Sequence, residues 1–332
     1  MTTSATSQTH DTVHEFATEL TVRRRIAVAD DIVALELCDP QQQDLPTWEP
    51  GAHIDLMLPD GLVRQYSLCG DPSDAGVWRI GVLRDPNSRG GSSYVHANLA
   101  EGTTIQVRGP RNHFPLLDSP RYRFIAGGIG ITPIMAMANA ADRAGLDWSL
   151  TYLGRAHSTM AFSDDLVSRF GDRVTLWAAD ERGGLMDLDE FFKVPEKDTL
   201  VYCCGPEMLM SAVEQHCAHW PDDSLHLERF AAKTVTAEEA AEALDEFEVV
   251  CQRSGITIQI TPDLSILETL EDADVPVLGS CYEGVCGTCE VKVLEGIPAH
   301  RDSVLTAANH ASNTVMLPCV SRSRSERLVL DI

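Results

Sequence analysis

The chain has 332 residues, 44% of them hydrophobic, and a formal net charge of −24. That length suits two or three domains with sizeable cores. The charge excludes nucleic acid and anionic membranes as natural partners, and no apolar run approaches the roughly 18 residues of a membrane span.

Met1–Glu15 is polar and has no apolar signal core, so residues 1–15 are expected to form a disordered tail. Residues 16–115 read as short strands separated by Gly/Pro/Asp clusters: Glu19–Ala27, Ile32–Leu37, His53–Leu58, Arg64–Leu68, Trp78–Val82 and Thr104–Arg108. Many short strands at regular spacing predict an antiparallel barrel. From 116 to 230 the pattern changes. Arg121–Ala126, Trp148–Leu153, Val174–Ala178 and Leu200–Cys204 alternate with helical stretches, a βαβ order that predicts a parallel sheet. Residues 231–246 hold Glu238, Glu239, Glu242, Asp245 and Glu246 among alanines. They fit an acidic linker or a solvated helix face equally well. The last unit, 247–332, opens with a hairpin around Ser254-Gly255. Ser265-Ile-Leu-Glu268 then forms a capping box for a helix to about Asp274. Strands Glu290–Leu294, Thr314–Leu317 and Leu328–Ile332 follow.

Two turns of the middle unit bear on ligand binding. Strand Arg121–Ala126 runs into Gly127-Gly-Ile-Gly-Ile-Thr-Pro133. Thr132 is expected as N-cap and Pro133 as first residue of a helix to Ala144, with Gly145 ending it. A glycine turn at a helix start lets a pyrophosphate approach bare N–H groups and the positive dipole end. The G-x-G-x-x-G fingerprint is absent. Leu200–Cys204 runs likewise into Gly205-Pro206 and a helix. Ligands of open α/β sheets bind at the carboxyl ends of strands, so both turns are expected to flank one crevice. Cys204 could equally be a buried strand-end residue.

The C-terminal unit carries Cys281, Cys286, Cys289 and Cys319, spaced C-x4-C-x2-C-x29-C. This is the plant-type arrangement for a 2Fe–2S cluster. A four-cysteine zinc site more often comes as two separated C-x2-C pairs. Gly284 and Gly287 give the loop the conformational freedom to close around sulfur. Ten cysteines in all argue for a reducing compartment, the cytoplasm, and for ligands rather than disulfides. Cys38, Cys69, Cys203, Cys217 and Cys251 read as small core residues.

A 2Fe–2S cluster accepts one electron, whereas a nicotinamide donates a hydride. A flavin can do both, so the barrel is expected to hold one. Its candidate segments are Arg64-Gln-Tyr-Ser-Leu68 and Ser88-Arg-Gly-Gly-Ser-Ser93. Strand alternation puts Arg64, Tyr66 and Leu68 on one face and Gln65 and Ser67 on the other. Arg89, Gly90, Gly91 and Ser92 would cradle a phosphate at a helix start, though each segment taken alone reads equally well as a β-turn and N-cap.

These motifs, R-x-Y-S-L, R-G-G-S, G-G-I-G-I-T-P and C-G-P, followed by the four cysteines, resemble the phthalate dioxygenase reductase family within the ferredoxin–NADP reductase superfamily. The resemblance spans nearly the whole chain in the family's order. It implies a multi-domain protein: an antiparallel flavin-binding β-barrel, an α/β nucleotide-binding domain and a C-terminal β-grasp plant-type ferredoxin. It implies FMN, NADH and a 2Fe–2S cluster. Arg64, Gln65, Tyr66, Ser67, Leu68, Val82 and Arg84 would contact the flavin, with Ser67 near its reactive nitrogen. Arg89, Gly91 and Ser92 would hold its phosphate. Gly128, Gly130, Thr132 and Pro133 would line the pyrophosphate site. Cys204, Gly205 and Pro206 would lie near the nicotinamide, and Phe230 would cover the flavin. Arg155 could attract a 2′-phosphate, while Asp180 could bind or repel near the ribose; the resemblance favours NADH. The implied acceptor is the oxygenase component of an aromatic-ring dioxygenase or demethylase, usually a Rieske protein. Rival readings are a reductase for a cytochrome P450 or another acceptor, and a non-catalytic redox sensor.

Overall fold

The computed structural model describes residues 16–86, 88, 90–231 and 243–332. The tail 1–15, Arg89 and linker residues 232–242 lie outside them.

The first sheet contains β1 (Ala17–Ala29), β2 (Ile32–Cys38), β3 (Ala52–Met57), β4 (Val63–Ser67), β5 (Trp78–Leu83) and β6 (Thr104–Asn112), in the order β4-β3-β6-β1-β2-β5. Every pair is antiparallel. A bridge between Leu68, just past β4, and Ile80 of β5 joins the two edges into a barrel. Leu20, Leu35, Leu37, Ile54, Leu56 and Trp78 fill it and are fully buried, each stabilising by about 1.5–3 kcal/mol. β2 is buried on both faces, because Ile32 packs into the next core while Val33, Leu35 and Leu37 fill the barrel. Helix α1 (Gly91–Asn98) lies beside β5.

The second sheet is parallel: β7 (Arg121–Gly127), β8 (Asp147–Gly154), β9 (Val174–Ala178), β10 (Thr199–Cys204) and β11 (Leu225–Glu228), ordered β11-β10-β7-β8-β9. Strand order reverses between β7 and β10, so the carboxyl ends of these two strands form the switch point where ligands of such sheets bind. Helix α2 (Ile131–Arg143) follows β7. It starts earlier than its sequence signals indicate, because a 3-10 turn over Gly128–Gly130 feeds straight into it. Thr132 is therefore inside the helix, its hydroxyl donating to the Ile129 carbonyl at 3.0 Å, and Gly130 holds the cap position. Pro133 is third in the helix, where a missing N–H still costs nothing. Gly145 ends the helix at φ +69°, as expected. β11 was not legible as a strand: it is a four-residue, half-buried edge. Helices α3 (Ser163–Phe170), α4 (Ala179–Arg182), α5 (Leu188–Phe192) and α6 (Glu207–Cys217) complete this layer.

The third sheet is mixed. It holds β12 (Phe247–Cys251), β13 (Ile256–Ile260), β14 (Val291–Glu295), β16 (Val315–Met316) and β18 (Arg327–Leu330), ordered β13-β12-β18-β14-β16. β15 (Pro298–Ala299) and β17 (Arg322–Ser323) pair separately. β12 and β18 run parallel, which a hairpin cannot achieve. Gly255 turns the β12–β13 hairpin at φ +69°. Helix α7 (Ile266–Asp272) packs Ile266 and Leu270 into this sheet's core. Its capping box is complete: Glu268 N–H donates to Ser265 Oγ at 3.1 Å and Ser265 N–H to Glu268 Oε2 at 2.8 Å, contributing about 1 kcal/mol. A short helix α8 (Ala307–Ser312) precedes β16. No helix among the described residues is long and apolar enough to cross a membrane.

Candidate functional site

The barrel, the parallel-sheet unit and the cysteine loop meet at one cavity of about 270 Å³. The barrel contributes Arg64, Gln65, Tyr66 and Ser67 from β4, Gly81 and Leu83 from β5, and Ser88 and Ser92 at the start of α1. The parallel sheet contributes Ile129, Thr132, Glu228 and Phe230. The cysteine loop contributes Cys281, Glu283 and Val285. Close packing between the first two units is enforced at Gly81, where a Cβ would lie 2.8 Å from Thr132 Cγ2.

The structure gathers most residues singled out from sequence, but not all in the expected way. Arg64 backs Gly91, whose added Cβ would lie 2.6 Å from Arg64 Cγ, so the helix start approaches the guanidinium as only glycine allows. Ser92 Oγ accepts the Asp85 N–H at 3.1 Å. Gly90 caps α1 in the left-handed region at φ +95°. Leu68 does not reach the cavity; it is fully buried in the barrel core. Val82 likewise points into that core, and its neighbours Gly81 and Leu83 line the cavity instead. Arg84 is on the surface in an ion pair with Asp31 and is not part of the lining.

The two glycine turns do share one crevice. Gly130 sits against the Cys204 carbonyl, 2.2 Å from where its Cβ would be, and Gly127 against Pro206 and Leu209. Gly128 adopts φ +54°, and Gly205 and Pro206 lead into α6. The Cys204 side chain is fully buried in the core with Tyr202 and is not part of the cavity lining, and burial pushes its thiol well above the ordinary range, with Glu228 adding to the rise. Arg155 and Asp180 are exposed at the ends of β8 and β9, joined by an Asp180 N–H to Arg155 O bond of 3.0 Å, and lie outside the cavity. Phe230 lines the cavity and is 42% exposed.

Sequence reading missed three residues here. Glu228 ends β11 with its carboxyl against the Ser67 hydroxyl, and burial raises it to about 8. His53 of β3 lines the cavity and is held neutral, lowered to about 3 by burial first and Arg111 next. Both Glu228 Oε2 and His53 Nε2 are buried without a protein hydrogen-bond partner, which fits a site completed by a polar ligand. Asp55, also on β3, is wholly buried. Its Oδ2 accepts from Arg108 at 2.9 Å and from Ser280 Oγ at 3.0 Å, and its Oδ1 from Gln65 at 2.9 Å and from Arg111. Gln65 also donates to Ser280 Oγ at 2.8 Å. Ser280 precedes the first cluster cysteine, so this network clamps the cysteine loop onto the barrel. Only the tertiary fold brings these groups together.

The four cysteines are buried at 2–9% exposure, and none is in a disulfide. Their thiols converge: Cys281 lies within hydrogen-bonding reach of Cys286 and Cys319, and Cys289 of Cys319. Glu283 N–H donates to Cys281 Sγ at 3.3 Å. Gly284 and Gly287 hold φ +68° and +69°, and a Cβ on Gly287 would strike the His113 ring at 2.7 Å. Four soft donors around one point, with backbone N–H groups directed at sulfur, fit a 2Fe–2S cluster.

Residues 249–324 match the 2Fe-2S iron-sulfur cluster binding domain family. The chain is 42% identical over 305 residues to the phenoxybenzoate dioxygenase subunit beta of Ectopseudomonas oleovorans, covering 92% of this chain and 94% of that protein. Among solved structures it is similar to phthalate dioxygenase reductase, described as modular for electron transfer from pyridine nucleotides to [2Fe-2S], with a TM-score of 0.70 and 36% identity over 95% of this chain and 98% of the other. It is also similar to part of an intact type IV self-sufficient cytochrome P450 monooxygenase, with a TM-score of 0.88 and 44% identity over 95% of this chain but 41% of that one.

Proposed function

The chain belongs to the phthalate dioxygenase reductase family, and from that premise we propose that it carries electrons from NADH through FMN to a 2Fe–2S cluster and on to the oxygenase component of an aromatic-ring dioxygenase or O-demethylase. The observation that carries this reading is the shared cavity in which the barrel, the switch-point turn and Cys281 meet. Bound there, the flavin would accept a hydride and release electrons singly.

The chain's own residues bind, orient and exclude water. Arg64, Ser88, Ser92 and the open N–H groups of α1 would hold the FMN phosphate, together with Arg89. Tyr66 would lie against the ring, and burial pushes its phenol up to about 12, so it stays neutral. Gly128, Gly130 and Thr132 would receive the dinucleotide pyrophosphate at the switch point. Phe230 covers the place where nicotinamide must enter. Ser67 and Glu228 form a hydrogen-bonded pair in the cavity wall and would face the flavin's reacting edge. The absence of disulfides supports a cytoplasmic setting. A cytochrome P450 as acceptor is the second reading, favoured by the likeness to the self-sufficient monooxygenase. Reduction assays with both acceptor classes separate the two.

Two variants test the hydride site. Ser67→Ala slows NADH-driven flavin reduction, followed by stopped-flow absorbance, more than it weakens FMN binding; equal losses would make Ser67 merely structural. Glu228 is neutral below about 8 and ionises above it. Ionisation puts negative charge beside Ser67, so the wild-type rate falls as pH rises through 8. Glu228→Gln, permanently neutral, removes that fall. The Ser67 hydrogen bond lowers the Glu228 value, so Ser67→Ala moves the inflection to higher pH. An inflection unchanged in both variants would assign it elsewhere. Stability follows the same direction: a raised folded value gives stability that is full below the unfolded 4.5 and is lost as pH rises through about 8.

A further inference from the structure

We propose that His300, Asp302 and His310 form a second metal site, distinct from the cysteine set, that takes a borderline divalent cation of the Zn²⁺ class and braces the back of the cluster loop.

One ligand atom from each of the three residues lies within 4.8 Å of the others. Asp302 has a fully buried side chain. Its Oδ2 accepts the N–H groups of Val304 at 3.2 Å and Leu305 at 2.8 Å, which fixes the carboxylate. Its Oδ1 faces His310 Nε2 at 3.2 Å and His300 Nδ1 at 3.8 Å. A tetrahedral zinc with bonds of about 2.0–2.1 Å separates its ligand atoms by roughly 3.3 Å, so His310 Nε2 is already at that spacing from Asp302 Oδ1 and His300 Nδ1 must close in from 3.8 Å.

The second observation is on His300, whose side chain is 8% exposed. Its Nε2 lies 3.3 Å from Asn313 Oδ1, and in the tautomer that donates to that oxygen Nδ1 is a bare lone pair. It is buried, has no hydrogen-bond partner and faces a carboxylate oxygen. Two lone pairs pointed at each other in the interior are unfavourable, and a cation between them removes the conflict. The His300 and His310 rings stack at 4.4 Å, 17° from parallel, so His310 must turn out of the stack to share an ion with His300. His310, on α8, is 35% exposed and leaves an entry path and an open fourth position for water. Two imidazoles and one carboxylate suit zinc, nickel or copper rather than a thiophilic cluster.

The location gives the ion a use. Ser303 N–H donates to the Gly284 carbonyl at 2.9 Å, and a Cβ on Gly284 would lie 3.2 Å from Asp302 Cα. Gly284 is inside the Cys281–Cys286 loop. An ion joining α8 to Asp302 therefore stiffens the segment on which that loop rests.

The test is calorimetric titration of the oxidised, cluster-loaded protein with ZnCl₂ after chelator treatment, with zinc and iron counted on the dialysed product. Wild type is expected to bind one Zn²⁺ without losing iron. His310→Ala and His310→Gln are expected to weaken binding at least about tenfold. The glutamine variant keeps an N–H donor for Asp302, so its loss reports ligation rather than packing. Slower cluster loss on dilution in zinc, in wild type alone, would support the bracing role. Equal zinc affinity in wild type and both variants, no zinc uptake, or uptake only with loss of iron would overturn the proposal.

Discussion

Cys289→Ser is expected to abolish cytochrome c reduction while leaving NADH-driven flavin reduction and ferricyanide reduction nearly intact. Cys289 is 2% exposed, in the small cluster core with Leu267, Leu317 and Cys319. Serine in its place offers a harder and poorer ligand, and the cluster loses one of four thiolates, so the cluster-dependent rate drops by roughly 100-fold or more. The flavin cavity is lined by Cys281 and not by Cys289, so hydride transfer proceeds at its own rate. Steady-state assays with both acceptors measure the split. A parallel loss of all three activities would mean that the carriers are not separable, or that the third sheet folds only around its cluster.

Asp55→Ala is expected to have the second-largest effect, on stability and on electron flow into the cluster together. The side chain is wholly buried and accepts from Arg108, Arg111, Gln65 and Ser280 at once. Removing one partner of a buried ion network costs about 3–5 kcal/mol. Thermal unfolding of the full chain reads the loss. Burial raises the Asp55 carboxyl, but the Arg111 hydrogen bond and charge, with Gln65 and Arg108, outweigh it and hold the carboxyl below its usual range. A depressed folded value means that this stability is present above the unfolded 3.8 and is lost as pH falls through the lower folded value. The wild type is therefore more acid-sensitive than Asp55→Ala. Ser280 is bonded to both Asp55 and Gln65. Its release loosens the cysteine loop from the barrel, so single-turnover flavin-to-cluster transfer slows while NADH-driven flavin reduction does not. Unchanged transfer in a folded variant would deny the clamp.

What was legible in the sequence was what is local in the chain. The cysteine spacing, the glycine turns before α2 and α6, the capping box at Ser265 and the β12–β13 hairpin are each fixed within a dozen residues. The antiparallel and parallel units were legible for the same reason, since their periodicities differ. What sequence hid was decided by packing. Thr132 has the chemistry of a cap, yet the Gly128–Gly130 turn starts the helix one residue before it. Val82 and Arg84 flank the cavity wall in sequence, but strand alternation and the Asp31 ion pair turn them away. Glu228 sits two residues before Phe230, yet its raised value arises from burial in the folded chain, offset only in part by Ser67, more than 150 positions earlier. Asp55 is one more strand acid until β3, β4, β6 and the cysteine loop converge on it.

The central claim is a continuous path from nicotinamide to cluster, and anaerobic titration of the purified protein with NADH, followed by visible absorption and electron paramagnetic resonance, tests it most directly. Flavin bleaching is expected together with the rhombic signal of a reduced 2Fe–2S cluster. Bleaching without that signal would break the path at the cluster, and no change with either NADH or NADPH would contradict the reductase reading altogether.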